Sequence, residues 1–74
     1  MTKQEFIQHF DSKTFDSYEE YQSHDGEKYC QFVINEINGG VINMSRETHS
    51  WYVLPRAYKG KGIDSLLECL EAAE

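Results

Sequence analysis

The residues best suited to contact a charged partner lie between the only proline, Pro55, and a C-terminal amphipathic stretch. Three cations and one aromatic ring follow each other closely there: Arg56, Tyr58, Lys59 and Lys61. Two glycines interrupt them, so we predict a loop over residues 56–62 that opens a helix, where free N–H groups favour anions. The segment does not contain the phosphate-binding P-loop motif, Gly-x-x-x-x-Gly-Lys-Ser/Thr. The segment is therefore either a solvated connection or a contact surface.

The histidines are the other residues that could do chemistry. His9, His24 and His49 are scattered, and no His/Cys spacing is typical of a metal site. Ser23-His24-Asp25 falls in a predicted turn, and neighbours in a turn do not form a triad, because catalytic roles depend on spatial geometry. We expect no metal and no cofactor, and we favour a non-catalytic protein over an enzyme.

The two cysteines, Cys30 and Cys69, do not form a disulfide framework or a Cys-x-x-Cys motif. We predict two free, at least partly buried thiols. A disulfide would need their Cα atoms within about 7 Å of each other.

The net charge of −6 is unevenly distributed. Seven carboxylates against two lysines give −5 in residues 1–27, five cations against two carboxylates give +3 in residues 28–62, and four carboxylates give −4 in residues 63–74. This pattern indicates either ordinary solubility charge or a dipolar surface that steers a partner. The acidic residues predicted as a second contact patch are Asp16, Glu19 and Glu20. Mimicry of nucleic-acid phosphates is a further interpretation.

The 74 residues correspond to one domain, residues 1–74. A chain this short buries only about 60% of its unfolded surface, so an open binding surface is easier to build than an enclosed active site. No apolar run is long enough to span a bilayer, and no signal-peptide pattern is present, so we expect a cytoplasmic protein without membrane contact. Homodimerisation would bury more apolar surface.

Two segments have helical periodicity. Thr2 and Glu5 have the spacing of a capping box, which predicts a helix over residues 2–11. The second helix follows residue 62, and its apolar positions share one face: Ile63, Leu66, Leu67, Leu70 and Ala73.

The middle of the chain alternates like strands. Residues 28–37 are apolar on both faces, so we expect a central strand covered on each side. Residues 14–23 are ambiguous between a helical stripe and a strand, and we favour a strand over 17–23 because the Asp25-Gly26 turn signal needs one before it. The further strands and the second turn are predicted at 41–44, 51–54 and 38–40. The predicted fold is α+β: an antiparallel meander of three to four strands flanked by an N-terminal and a C-terminal helix, both on one face.

One segment resembles a known family. Val53-Leu54-Pro55-Arg56, then Lys59-Gly60-Lys61-Gly62-Ile63 and Leu66-Leu67, is similar to the C-terminal end of the small HicA-type messenger-RNA interferase toxins. Those toxins carry Gly-Ser-His before the sheet; here Gln22 stands for the glycine before Ser23-His24, and Ala57 stands where a histidine often follows. The resemblance implies a helix–sheet–helix fold and a ribonuclease that uses His24 as acid–base and residues 56–62 to hold RNA.

The first hypothesis is therefore a non-catalytic protein that docks on a macromolecule as an inhibitor or regulator. A protein partner is favoured, because aromatic density and charge asymmetry are typical of an interface. Nucleic-acid binding would be weak, because the predicted loop carries only three cations and the chain as a whole is negatively charged. The second hypothesis is the HicA-like ribonuclease.

Overall fold

Seven elements are built from residues 1–34, 40–54 and 57–72, the parts of the chain that the computed structural model describes. In chain order they are α1 (Lys3–Ser12), β1 (Asp16–Gln22), β2 (Lys28–Val33), β3 (Val41–Ser45), β4 (Ser50–Leu54), β5 (Tyr58–Lys61) and α2 (Ile63–Ala72). The five strands form one antiparallel sheet in the order β1-β2-β3-β4-β5. The α+β class, the meander and the flanking helices are confirmed.

The N-terminal helix begins as its sequence predicts. The Thr2 hydroxyl accepts from the Glu5 N–H, and the Glu5 carboxylate accepts from the Thr2 N–H, each at 3.2 Å. The helix ends where Lys13 adopts a left-handed conformation with φ of 58° and its N–H bonds to the His9 carbonyl. The capping box is confirmed, and the predicted bounds are correct to within one residue.

The ambiguous segment is a strand, as favoured. A β-bulge separates Asp16 from Glu19, and Ser17 within it has a positive φ of 54°. From Tyr18 onward the side chains alternate, so Tyr18 packs against the core while Tyr21 points to the other side of the sheet. The helical stripe that the tyrosine spacing also permitted is absent from residues 16–22.

The prediction of three to four strands was one strand short, and the predicted loop over residues 56–62 was wrong for its last part. Residues 58–61 form β5, which pairs with β4 from Ser50↔Lys61 to Val53↔Tyr58. Gly60 explains the difference, because a Cβ there would lie only 2.6 Å from Cζ2 of Trp51. The Trp51 indole occupies the space above the glycine, so the residue that signalled a loop instead permits a cross-strand contact.

The core lies between the two helices and one face of the sheet, called here the inner face. The helices contribute Phe6, Phe10, Leu66 and Leu70, and the strands contribute Cys30, Phe32, Ile42, Met44, Trp51 and Val53. Both helices pack on this single face, as predicted. Neither described helix lies over the opposite face of β2, where Tyr29, Gln31 and Val33 are half-buried, so the described helices do not supply the second covering layer that was expected.

Some predictions fall on residues that the structure does not describe. β2 ends at Val33 rather than continuing to residue 37, and residues 35–39, with most of the second predicted turn, lie outside the described residues. Pro55, Arg56 and residues 73–74 also lie outside them. Among the described residues, neither helix has the length and apolar character that crossing a membrane requires.

Candidate binding face

The sheet face opposite the helices is called here the outer face, and its residues follow from the strand register. Residues paired across antiparallel strands point to the same side, so one row crosses all five strands. This central row is Glu19, Gln31, Asn43, Tyr52 and Lys59. A second row contains Asp16, Val33, Val41 and Leu54, and a third contains Tyr21, Tyr29 and Ser45, with Ser50 and Lys61 at its β5 end.

The outer face is acidic at one edge and basic at the other. Asp16 and Glu19 lie on β1, and Lys59 and Lys61 lie on β5, with three strands between. Four strand spacings of about 4.8 Å put the two edges about 19 Å apart. The charge asymmetry of the sequence therefore becomes a dipole across one surface, with the uncharged residues in its centre.

Three tyrosines make this surface aromatic. The Tyr21 and Tyr29 rings stack with their centroids 5.6 Å apart, and both Tyr21 and Tyr52 are 40% exposed. Leu54, in the neighbouring row, is 45% exposed. Tyrosines of this kind offer apolar area together with a hydroxyl, which is the side-chain type enriched at interface centres.

The hydroxyl of Tyr21 is held at the surface of the sheet while its ring is exposed. It donates to Asn43 Oδ1 at 3.0 Å. Burial of the hydroxyl, followed by hydrogen bonding with Tyr52, raises the pKa of Tyr21 to about 12. At neutral pH Tyr21 is therefore a fixed, uncharged donor.

Asn43 occupies the centre of the central row and is only 2% exposed. Its Oδ1 has the Tyr21 hydroxyl as partner, but its Nδ2 has no hydrogen-bond partner among the described residues. A buried donor without a partner costs roughly 1–3 kcal/mol. Tyr52 lies directly opposite Asn43 on β4.

One end of the outer face is closed by the Glu27 carboxylate. Glu27 Oε1 accepts from Ser45 Oγ at 2.7 Å and from Thr48 Oγ1 at 3.2 Å, and Oε2 accepts from the Tyr29 hydroxyl at 3.2 Å. Burial, followed by the bond to Glu27, raises the pKa of Tyr29. These bonds join the β1–β2 and β3–β4 turns, so this rim is fixed by side chains as well as by the strands.

The structure divides the predicted basic patch. Lys59 and Lys61 lie on the outer face, but Tyr58 pairs with the buried Val53 and so lies on the inner side, where it is 41% exposed at the edge. Arg56, the fourth predicted residue, lies outside the described residues. The described residues of the predicted basic patch therefore all lie on the edge strand β5, but on opposite faces of the sheet.

The predicted acidic patch is divided in the same way. Glu19 and Asp16 are on the outer face, whereas Glu20 pairs with the buried Cys30 and lies on the inner side. Its carboxylate is 2.9 Å from Lys13 Nζ and 3.0 Å from the Tyr18 hydroxyl, and these two groups lower its pKa. Two of the three predicted carboxylates thus share a surface.

The predicted anion site at the start of α2 is already occupied. The Gly62 N–H, which a phosphate would need, donates to the His49 carbonyl at 2.8 Å. Trp51 Nε1 donates to the Gly62 carbonyl and to Ser65 Oγ, each at 3.0 Å. These contacts join β4 to the first turn of α2.

The histidines do not meet in a catalytic arrangement. His24 is exposed in the β1–β2 turn, where Ser23 Oγ bonds to the Asp25 carboxylate instead. β3 and β4 lie between the β1–β2 turn and β5, so the structure does not bring His24 to Lys59 or Lys61. His9 lies in the C-terminal half of α1, and its Nδ1 is 2.8 Å from Oγ1 of Thr14, which follows that helix. Among residues 1–34, 40–54 and 57–72, no three His, Cys, Asp or Glu side chains converge as a metal site.

Both cysteines are free thiols, as predicted. Burial raises the pKa of Cys30 and of Cys69, which keeps both thiols protonated at neutral pH. Neither is suited to act as a nucleophile, because the thiolate is the reactive form.

Asn43 was not chosen from the sequence, and the outer-face residues Tyr21, Tyr29 and Tyr52 contributed only to the aromatic density that favoured an interface. One signal for them was available: apolar residues on both faces of residues 28–37 indicate a second surface with apolar character. That surface was expected to be covered, whereas in the described structure it is open.

No protein-family model, no curated protein and no solved structure matches this chain.

Proposed function

We propose that this chain is a non-catalytic binding protein that docks on a protein partner through the outer face, as a small inhibitor or regulator. The observation that supports the proposal is the outer face itself: exposed side chains of Tyr52 and Leu54 on β4 and of Tyr21 on β1, with carboxylates at the β1 edge and lysines at the β5 edge. Exposed tyrosines with charged side chains at the rim are typical of protein interfaces. A cytoplasmic location and the regulatory role remain predictions.

A protein partner fits this face better than a nucleic acid does. A phosphate backbone would meet Lys59 and Lys61 at one edge, but Asp16 and Glu19 at the other would repel it. Mimicry of nucleic acid has less support as well, because consecutive strand residues such as Glu19 and Glu20 lie on opposite faces and cannot form one array of charges.

The chain offers a matched pair of variants that test which face docks. Tyr52 and Tyr58 lie on neighbouring strands, are 40% and 41% exposed, and point to opposite sides of the sheet. A protein captured from host lysate after nuclease treatment is identified, purified and titrated against both variants. We expect Tyr52→Ser to weaken its binding at least tenfold, which is about 1.4 kcal/mol, and Tyr58→Ser to leave the binding close to wild type.

Two outcomes contradict the proposal. Loss of binding in Tyr58→Ser, with Tyr52→Ser unaffected, would place the contact on the inner side of β5. Retention of nucleic acid alone, in place of a nuclease-resistant protein, would assign the face to nucleic acid.

A further inference from the structure

The charges of the outer face are arranged so that the face complements a copy of itself. Glu19 on β1 and Lys59 on β5 end the central row, and β3 is the middle strand. A two-fold axis that runs along β3, in the plane between two facing sheets, places the β1 edge of each copy over the β5 edge of the other. Each Glu19 then meets Lys59 of the second copy, so the pair forms twice.

We propose that the outer face binds a second copy of this chain in a face-to-face dimer, with the strands of the two sheets aligned. The inference rests on the proposed function, because it assigns one partner to the same face. Because both interactions use the outer face, a chain in the dimer cannot dock on another protein at the same time. The dimer is then the form in which the docking surface is covered. Aligned packing of two sheets at about 10 Å is a common arrangement.

The other two rows complement themselves under the same axis. In the row with Val41 at its centre, Val33 of one copy faces Leu54 of the other. In the third row, the exposed Tyr21 ring faces Lys61 of the second copy, a pair suited to a cation–π contact. Apolar residues thus meet apolar residues, and lysines meet carboxylates or aromatic rings.

Asn43 adds an argument that does not depend on charge. It lies on β3, hence on the axis, and its buried Nδ2 has no partner among the described residues. Its Oδ1 accepts one bond, from Tyr21, and a carbonyl oxygen can accept two. When the Tyr52 side chains turn aside, each Nδ2 can donate to Oδ1 of the other Asn43. The unpaired donor of the monomer is then satisfied in the dimer.

Alternative packings of two copies are less favourable. A two-fold axis that runs across the strands would put β1 over β1, with Glu19 against Glu19. Pairing of the β1 edge with the β5 edge of a neighbour would also join opposite charges, but this head-to-tail contact would form rings or open chains instead of a two-fold dimer. The bulge at Ser17 interrupts the regular edge that such pairing needs.

The size of the face predicts a weak dimer. Five strands and three rows of side chains extend over about 19 Å by 14 Å between backbone positions. This footprint is smaller than the roughly 800 Å² that each partner buries in a stable complex. We therefore expect dissociation in the micromolar to millimolar range, with the dimer populated when the chain is concentrated.

Sedimentation equilibrium of the purified chain at low salt, from about 10 μM to 1 mM, tests this dimer in the range expected for a small interface. We expect a monomer–dimer equilibrium that Glu19→Lys and Lys59→Glu each weaken at least tenfold, because each reversal places like charges together twice. An equimolar mixture of the two variants should dimerise again, since both positions carry a lysine in one variant and a glutamate in the other, so that opposite charges face each other. Glu68→Lys on α2 and Lys28→Glu at the start of β2, which pairs with Gln22 on the inner side, are the matched controls, because both residues are exposed.

Each result decides the proposal. Recovery in the mixture, with wild-type behaviour of both controls, supports it. A monomer at every concentration, species larger than a dimer, or equal effects of face and control variants overturns it. A monomer that still loses its protein partner in Tyr52→Ser would leave the proposed function intact and remove only the dimer.

Discussion

At the residue scale, the Arg46 side chain joins separate parts of the fold. Its Nη1 donates to the Tyr18 hydroxyl at 2.6 Å and to the Phe10 carbonyl at 3.3 Å, and its guanidinium lies 4.4 Å from the Phe10 ring centre. Its side chain is 24% exposed, so these bonds are partly shielded from water. One residue in the β3–β4 turn therefore connects α1, β1 and the sheet.

We predict that Arg46→Ala lowers the free energy of unfolding by about 1–3 kcal/mol, because the Phe10 carbonyl and Tyr18 hydroxyl lose a charged donor. Arg46→Lys should recover only part of this, since an ammonium cannot reproduce the planar contacts of a guanidinium. Urea unfolding measures both. Lys3→Ala is the control, because the Lys3–Asp64 ion pair at 3.1 Å is exposed and is worth at most about 1 kcal/mol. Equal losses in Arg46→Ala and Lys3→Ala would contradict the role of Arg46.

At the element scale, β5 depends on one glycine and one tryptophan. The Trp51 side chain covers Gly60 and then reaches the start of α2 through its Nε1 bonds to Gly62 and Ser65. The Trp51 indole therefore contacts β5, the residue that precedes α2 and the first turn of α2. The same contact positions Lys59 and Lys61 on the outer face, because it fixes the register of β5 on β4.

We predict that Gly60→Ala lowers the free energy of unfolding by about 1–3 kcal/mol, since the new methyl group must displace the indole or the strand. In combination with Trp51→Phe, whose ring is smaller, the cost of Gly60→Ala should fall. Urea unfolding of the two single variants and the double variant gives the coupling energy, expected to exceed about 0.5 kcal/mol. Additive effects, or a Gly60→Ala variant as stable as wild type, would show that Trp51 does not limit this position.

Elements with local signals were predictable from the sequence. The Thr2–Glu5 capping box, the apolar face of α2 and the Asp25-Gly26 turn each depend on residues close together in the chain, and each is confirmed. β5 was not predictable in this way, because Gly60 is tolerated in a strand only through a residue on β4. The distinction between a flexible loop and a glycine covered by an indole is a tertiary contact.

The candidate site was predictable in its charges but not in its surface. Lys59, Lys61, Asp16 and Glu19 were chosen by residue type, and the structure places all four on the outer face. Tyr58 and Glu20 were grouped with them by proximity in sequence, yet alternation in a strand sends each to the inner side. The position of Asn43 at the centre required the order and register of all five strands.

At the scale of the whole molecule, the number of helices explains why a sheet face stays open. Each helix is about 10 Å wide and about 15 Å long, so two helices side by side cover one face of a sheet about 19 Å wide. The described chain has two helices, and both lie on the inner face. The outer face is left with half-buried tyrosines and a buried amide, and this burial also makes the stability of the molecule depend on pH.

We predict that the free energy of unfolding falls as the pH rises from about 10 to 12. Tyr21 has a pKa of about 12 in the folded chain, raised first by burial, while an unfolded tyrosine titrates near pH 10. Because the folded state holds its proton longer, this contribution is complete below pH 10 and is lost as the pH passes through the folded pKa. Burial raises the pKa of Tyr18 and of Tyr29 in the same direction.

Urea unfolding at intervals between pH 9 and pH 12, with phenolate absorbance followed in parallel, measures this dependence against the unperturbed tyrosine pKa of about 10. Tyr21→Phe removes one of the raised groups, so its stability should fall less steeply over the same interval. The variant is informative because the Tyr21 hydroxyl donates to Asn43 at the centre of the outer face. Identical slopes for wild type and Tyr21→Phe would mean that this hydroxyl is not held by the fold. The buried amide of Asn43 would then lack the neighbour that orients it toward a partner.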